Sequence, residues 1–246
     1  DGSGATISAQ VAVNTRARVA SVELTPAEVA LFPNDQAQFN VTLRDANQNV
    51  LSPRPMTWSV QDPTLASVTS TGLLTADVVG TTQVTATRDG VSGSAQVDIV
   101  KWKQVSAGQH YSCGILTNGE AYCWGQNNVD GVLGNGSIDS GADNQSLNHD
   151  ADAHQPTRVS GSVRFASISA GSFNTCGLTA AGKAYCWGAG GAGHLGQGQY
   201  ASSAVPVAVN GNYHFTDIQI GANHTCALEA TGDVYCWGYN GSGQLG

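Results

Sequence analysis

The stretch that decides the fold is SAGQHYSCGILTNGEAYCWG, residues 106–125, because the chain writes it three times. It returns as SAGSFNTCGLTAAGKAYCWG at 169–188 and as IGANHTCALEATGDVYCWG at 220–238. The first cysteines of neighbouring copies are offset by 63 and 50 residues, so a unit of about fifty residues is stacked along the chain. In each copy, short alternating segments flank a turn glycine (Gly119, Gly182 or Gly232) that lies six residues after the first Cys and four before the second. That arrangement reads as a β-hairpin.

The cysteine spacing selects the turn. All six cysteines lie in these hairpins as Cys113 and Cys123, Cys176 and Cys186, and Cys226 and Cys236, always Cys-x9-Cys. A three-residue loop with glycine in the left-handed position sets Cys opposite Cys, whereas a two-residue loop would send the sulfurs to opposite faces of the ribbon. Zinc is the competing use of paired thiolates, and its sites commonly space two of them two to four apart rather than nine. Disulfides within hairpins are therefore the expectation, with metal or bridges between repeats as the alternatives. Such bonds persist in an oxidising compartment, so the expected location is extracellular or at the cell surface. On the same ribbon Tyr122 and Trp124, Tyr185 and Trp187, and Tyr235 and Trp237 share one face, while Cys lies on the other with Ile115, Leu178 or Leu228. A lectin would expose such aromatics to sugar rings. Their identical repetition favours packing between repeats, because a core contact recurs in every unit and a binding site is usually unique.

The pattern G-x-x-H/N-T/S-C-x-L-x-x-x-G-x-x-Y-C-W-G, followed by G-x-L-G at 131–134, 193–196 and 243–246, resembles the regulator of chromosome condensation repeat in its disulfide-bearing secreted bacterial form. The resemblance implies a β-propeller of four-stranded blades, commonly seven, of which this chain carries two full repeats and one that stops at Gly246. It also implies that either a longer protein or neighbouring copies complete the ring.

Residues 18–100 read differently. Short β-rich segments at 21–24, 38–43, 57–60, 66–69, 83–87 and 94–100 are separated by turn signals, the spacing of a β-sandwich. The stretches VASVELTP, DANQN, MTWSVQDPTLASVTSTGLLTA and GTTQVTATRDGVSGSAQVDIV resemble the bacterial Ig-like domain of group 2, which implies a spacer or adhesion arm of a surface protein. Trp58 is expected between the sheets with Val22, Val68 and Val84. Residues 1–17 form a third part: Ile7, Ala9, Val11 and Val13 alternate with polar or small neighbours as in a lone strand, which would close a preceding Ig-like domain or pair with another subunit. The expected organisation is thus all-β: a lone strand or linker (1–17), an Ig-like sandwich (18–100) and part of a propeller (101–246).

Composition narrows the partners. Charged residues are only 11% of the 246, Gly supplies 31, and the net charge is −8, which excludes coiled coil and collagen and disfavours a phosphate-backbone partner. Nine carboxylates and five Lys or Arg lie on each side of residue 100, so there is no basic stripe. No run of 18 apolar residues occurs, and no membrane insertion is expected.

Several motifs suggest chemistry and read better as structure. Residues 188–193 and 241–246 match G-x-G-x-x-G, but a dinucleotide site needs a helix to follow, and no amphipathic pattern does. The longer spacer at 138–154 holds Asp139, Asp143, Asp150, Asp152, His149 and His154. Asp150 and Asp152 are its candidate metal ligands, although a polar solvated loop is the simpler reading. Asp45, Asn47 and Asn49 lack the Gly and distal Glu of a Ca²⁺ loop and read as a hairpin turn. His110, His194, His214 and His224 are scattered, without a nucleophile elbow or zinc helix. Asn40, Asn135, Asn144, Asn223 and Asn240 are weak glycosylation signals. The expected protein is non-enzymatic and without cofactor, a structural or adhesive surface component partnered by other copies of itself or by the rest of a longer chain. The alternative is a secreted propeller that binds a protein or carbohydrate ligand.

Overall fold

The structure is a computed structural model and describes residues 17–139 and 151–246. The expected lone strand at 5–13, together with Asp143, Asn144, His149 and Asp150 of the spacer, lies outside the described residues. The described residues are all-β, with no helix. Among the described residues, no helix is long and apolar enough to cross a membrane. The chain divides into two compact units, Asp1–Ile99 and Val100–Gly246.

The first unit is an Ig-like sandwich. Its strands are β1 (Ser21–Thr25), β2 (Glu28–Leu31), β3 (Gln36–Gln38), β4 (Asn40–Arg44), β5 (Thr57–Val60), β6 (Ala66–Val68), β7 (Leu73–Ala76), β8 (Gly80–Arg88) and β9 (Val91–Ile99). One sheet has the order β2-β9-β8-β5, with β2 parallel to β9; facing it are the ladders β3-β7-β6 and β1-β4. Alternation puts Leu24, Leu43, Leu74, Val84, Val97 and Ile99 inside, where Phe39 joins them. Trp58 packs against this cluster but is only half buried, at the margin of the core rather than in its centre.

Two strands were not legible in the sequence, and one expected strand is divided. β2 and β7 are four-residue elements whose weak alternation gives no period to detect; pairing with β9 and β3 makes them strands. The segment expected as one strand at 38–43 breaks at Phe39, whose N–H donates to Gly72 C=O at 2.9 Å. The DANQN turn is closed by Asp45. Its Oδ1 accepts the N–H groups of Asn47 and Asn49, and its Oδ2 accepts from the Asn49 side chain. Those bonds, the Asn49 side chain foremost, hold its carboxyl below the usual value.

The second unit is a run of propeller blades. Blade 1 has the order β10-β11-β12-β13 (Trp102–Ala107, Tyr111–Leu116, Ala121–Gly125, Ala153–Arg158), and blade 2 has β14-β15-β16-β17 (Ser167–Ala170, Asn174–Leu178, Ala184–Gly188, Ser203–Ala208). Blade 3 comprises β18, β19 and β20 (Phe215–Ile220, His224–Glu229, Val234–Gly238). Each central hairpin turns on a glycine with φ of 83°, 74° or 95° (Gly119, Gly182, Gly232), a conformation that costs glycine little. In each, the register sets Cys opposite Cys. β13 begins at Ala153, so His154 belongs to a strand and not to the loop in which the sequence reading placed it.

Candidate functional site

The blades are joined by one repeated contact, and its exposed half on blade 3 forms the candidate site. In blade 1, Trp102 on the first strand lies 6.0 Å from the Tyr122 ring and 5.7 Å from Trp124. Phe165 sits in the same way against Tyr185 and Trp187 at 6.3 and 5.8 Å, and Phe215 against Tyr235 and Trp237, both at 6.1 Å. In blades 1 and 2 the central strand gives the ring room by carrying no side chain there, and in blade 3 the small Ala227 takes that position. A Cβ on Gly114 would lie 2.8 Å from the Trp102 ring, and one on Gly177 2.5 Å from Phe165. Each blade therefore has an aromatic face. The opposite face carries the disulfide and an aliphatic residue.

Blades stack with the disulfide face of one on the aromatic face of the next. Cys113 and Cys123 are joined by a disulfide, fully buried, and share a core with Ile115, Phe165 and Trp187. Cys176–Cys186, with Leu178, meets Phe215, Tyr235 and Trp237. Hydrogen bonds set the register across the first joint. Gln104 Nε2 donates to Ile168 C=O at 2.8 Å, Ile168 N–H returns to Gln104 Oε1 at 3.1 Å, and Ala170 N–H donates to Ser106 Oγ at 3.0 Å. The Tyr111 hydroxyl donates to Asn174 C=O at 2.8 Å, and burial pushes its pKa up to about 12. At the second joint Ile220 N–H donates to Ser169 Oγ at 3.1 Å.

Three blades make two such joints. Blade 1 carries Tyr122 and Trp124, both half-buried, on its outer side beside the exposed Val105. Blade 3 presents the Cys226–Cys236 disulfide with Leu228 and Val234, which are 40% and 64% exposed. These are the two halves of the joint that closes twice within the chain.

The other sequence candidates do not converge. Asp152 Oδ1 accepts the N–H of Asn127 at 2.8 Å and anchors the loop after β12. Its expected co-ligand Asp150 lies outside the described residues. Among the described residues, no group of three or more His, Cys, Asp or Glu side chains is placed to hold a metal ion. Gly188 ends β16, and the other glycines of 188–193 and 241–246 lie in the loops and turns that follow the hairpins. His194 contributes its main chain, accepting from the Trp237 indole at 2.9 Å, while desolvation lowers the pKa of its ring. The sequence reading missed Trp102, Phe165 and Phe215 as members of the joint. The signal was present, since each stands eleven residues before the first cysteine of its repeat.

Fold and joint define a class: an all-β protein in which an Ig-like sandwich precedes disulfide-braced propeller blades. Residues 18–99 match the bacterial Ig-like domain (group 2). The regulator of chromosome condensation (RCC1) repeat matches 102–131, 165–193 and 215–244 by one model, and 118–178 and 181–228 by another. The chain is thus a group 2 bacterial Ig-like domain followed by RCC1 repeats. Among solved structures it is similar to Prp20p from Saccharomyces cerevisiae at 18% identity and a TM-score of 0.48, over 68% of this chain and 43% of that one. It is similar to human WBSCR16 at 16% and 0.49, over 91% and 62%. The ectodomain of the receptor kinase CR4 from Physcomitrella patens matches at 16% and 0.38, over 89% and 53%. The chain therefore spans less than two thirds of each of these structures.

Proposed function

We propose that the chain is a non-enzymatic extracellular protein that works by protein contact through its blade faces, as a structural or adhesive component of a surface assembly. The observation that carries this reading is the exposed disulfide face of blade 3, where Leu228 and Val234 stand open beside Cys226–Cys236. Inside the chain the same disulfide half is buried twice against the aromatic half of the following blade. The partner is then a blade of the same kind, from another copy of this chain or from the rest of a longer one. Contact between unlike faces is heterologous and extends head to tail until a ring closes. Buried disulfides at the joints support an oxidising compartment.

Size-exclusion chromatography with light scattering over a concentration series tests the reading. The mass should rise above 25.2 kDa with concentration, and Leu228→Asp, which charges the blade 3 face, should return it to monomer. A monomer at every concentration overturns the assembly reading, and a secreted propeller that captures a protein or carbohydrate ligand takes its place.

A further inference from the structure

The Ig-like unit holds a cleft that the blade reading leaves unused. About 390 Å³ opens beside β4, walled by Val41, Leu51, Arg54, Met56, Trp58 and Thr71. Backbone direction along β4 shows what it offers. Leu51 N–H donates to Leu43 C=O at 2.8 Å and Asp45 N–H to Asn49 C=O at 3.0 Å, so residues 43 and 45 turn their backbone groups away from β1. Val41, two residues earlier, shares that orientation. Phe39 also points that way and is taken by Gly72. Between Phe39 and Leu43 the edge is open: among the described residues, no hydrogen bond reaches Val41 N–H, Val41 C=O or Leu43 N–H on that side. The sequence explains the gap. Ser52-Pro53-Arg54-Pro55 runs on from Leu51, and two prolines without N–H groups prevent it from continuing the ladder.

Charge gives the cleft a polarity. The guanidinium groups of Arg54 and Arg88 share a single carboxylate, Asp89, at 3.4 and 3.2 Å. The Arg54 side chain is 6% exposed, its Nη2 donates to Ala17 C=O at 2.7 Å, and its Nε has no partner. Two cations against one anion leave a positive charge in excess, and at the buried Arg54 end, where water screens least, an added carboxylate is held more strongly than in bulk water.

We propose that this cleft binds the C-terminal end of an extended peptide. The open β4 edge pairs its main chain as an added strand, Met56 and Trp58 receive one apolar side chain, and the Arg54 side of the cleft takes the terminal carboxylate. The open edge spans Val41 to Leu43 and is closed by Gly72 at one end and Leu51 at the other, room for about three extended residues, or roughly 10 Å. A chain that ends in the cleft fits it. One that continues meets Leu51.

The test is an amide-shift titration of the isotope-labelled full chain with acetyl-Val-Ser-Val as free acid and as C-terminal amide. The acid should give saturable shifts at Val41 and Leu43 that exceed those at Thr42, whose N–H faces β1, and the amide should bind at least tenfold more weakly. Met56→Lys should weaken the acid by a similar factor. No saturable shift at millimolar peptide, shifts confined to other residues, or equal binding of acid and amide each overturn the proposal, and none of these readings depends on the variant folding.

Discussion

Trp187 Nε1 donates to Val132 C=O at 2.9 Å, and one blade later Trp237 Nε1 donates to His194 C=O at the same distance. Both acceptors are the second residue of a G-x-L-G loop, so the loop of one blade is clasped by the tryptophan of the next. Trp187 is fully buried, so its loss removes packing and leaves a carbonyl short of its donor. Trp187→Phe should cost about 2 to 4 kcal/mol, less than full truncation of the side chain, measured by denaturant unfolding. A loss below about 0.5 kcal/mol would show the clasp to be incidental.

The three disulfides should differ in how readily they are reduced, because exposure sets access for an attacking thiolate. Cys113–Cys123 and Cys176–Cys186 are fully buried between blades, whereas both cysteines of Cys226–Cys236 are half exposed on the open face. Limited reduction followed by alkylation and peptide mass spectrometry should find Cys226 and Cys236 labelled first. Uniform labelling of all six would contradict the burial of the joints.

Tyr111 makes stability depend on alkaline pH. Its folded pKa of about 12 lies above the ordinary value of 10, so the folded state holds the proton more tightly than the unfolded one. The resulting stability is fully present below pH 10 and is lost as pH rises from 10 towards 12, by up to about 3 kcal/mol. Tyr111→Phe should be less stable at neutral pH by about 1 to 2 kcal/mol, through the lost bond to Asn174, and should lack this part of the alkaline decline. Parallel alkaline declines in both proteins would remove Tyr111 as the cause.

Trp58→Ala should destabilise the sandwich by about 2 to 3 kcal/mol, below the range for a fully buried tryptophan, because the ring is half buried. Urea unfolding followed by circular dichroism, with the propeller transition as internal reference, measures it. A loss of 4 kcal/mol or more would place the ring in the core.

Much of this architecture was legible because its signals are local. Cys-x9-Cys about a turn glycine specifies a hairpin and its register within eleven residues, and β5 and β8 carry enough β-branched residues and alternation to be seen alone. β2 and β7 were not legible, since four residues without strong period become strands only when β9 and β3 supply the other half of the ladder. The loop expected at His154 is a strand for the same reason: Gly125 and Cys123, more than twenty residues away, draw its segment into the sheet.

Repetition and alternation settled the hairpins, the facing of Cys by Cys and the separation of aromatic from aliphatic faces, because each depends on residues within one ribbon. Which face of one blade meets which face of the next was decided in three dimensions. Trp187 reaches Val132 across 55 residues of sequence, and the chain must already be folded into blades before that bond exists. The open edge of β4 belongs to the same order of organisation. Pro53 and Pro55 can be read directly, but that their missing N–H groups leave Val41 C=O without a donor follows only once the strands are laid side by side.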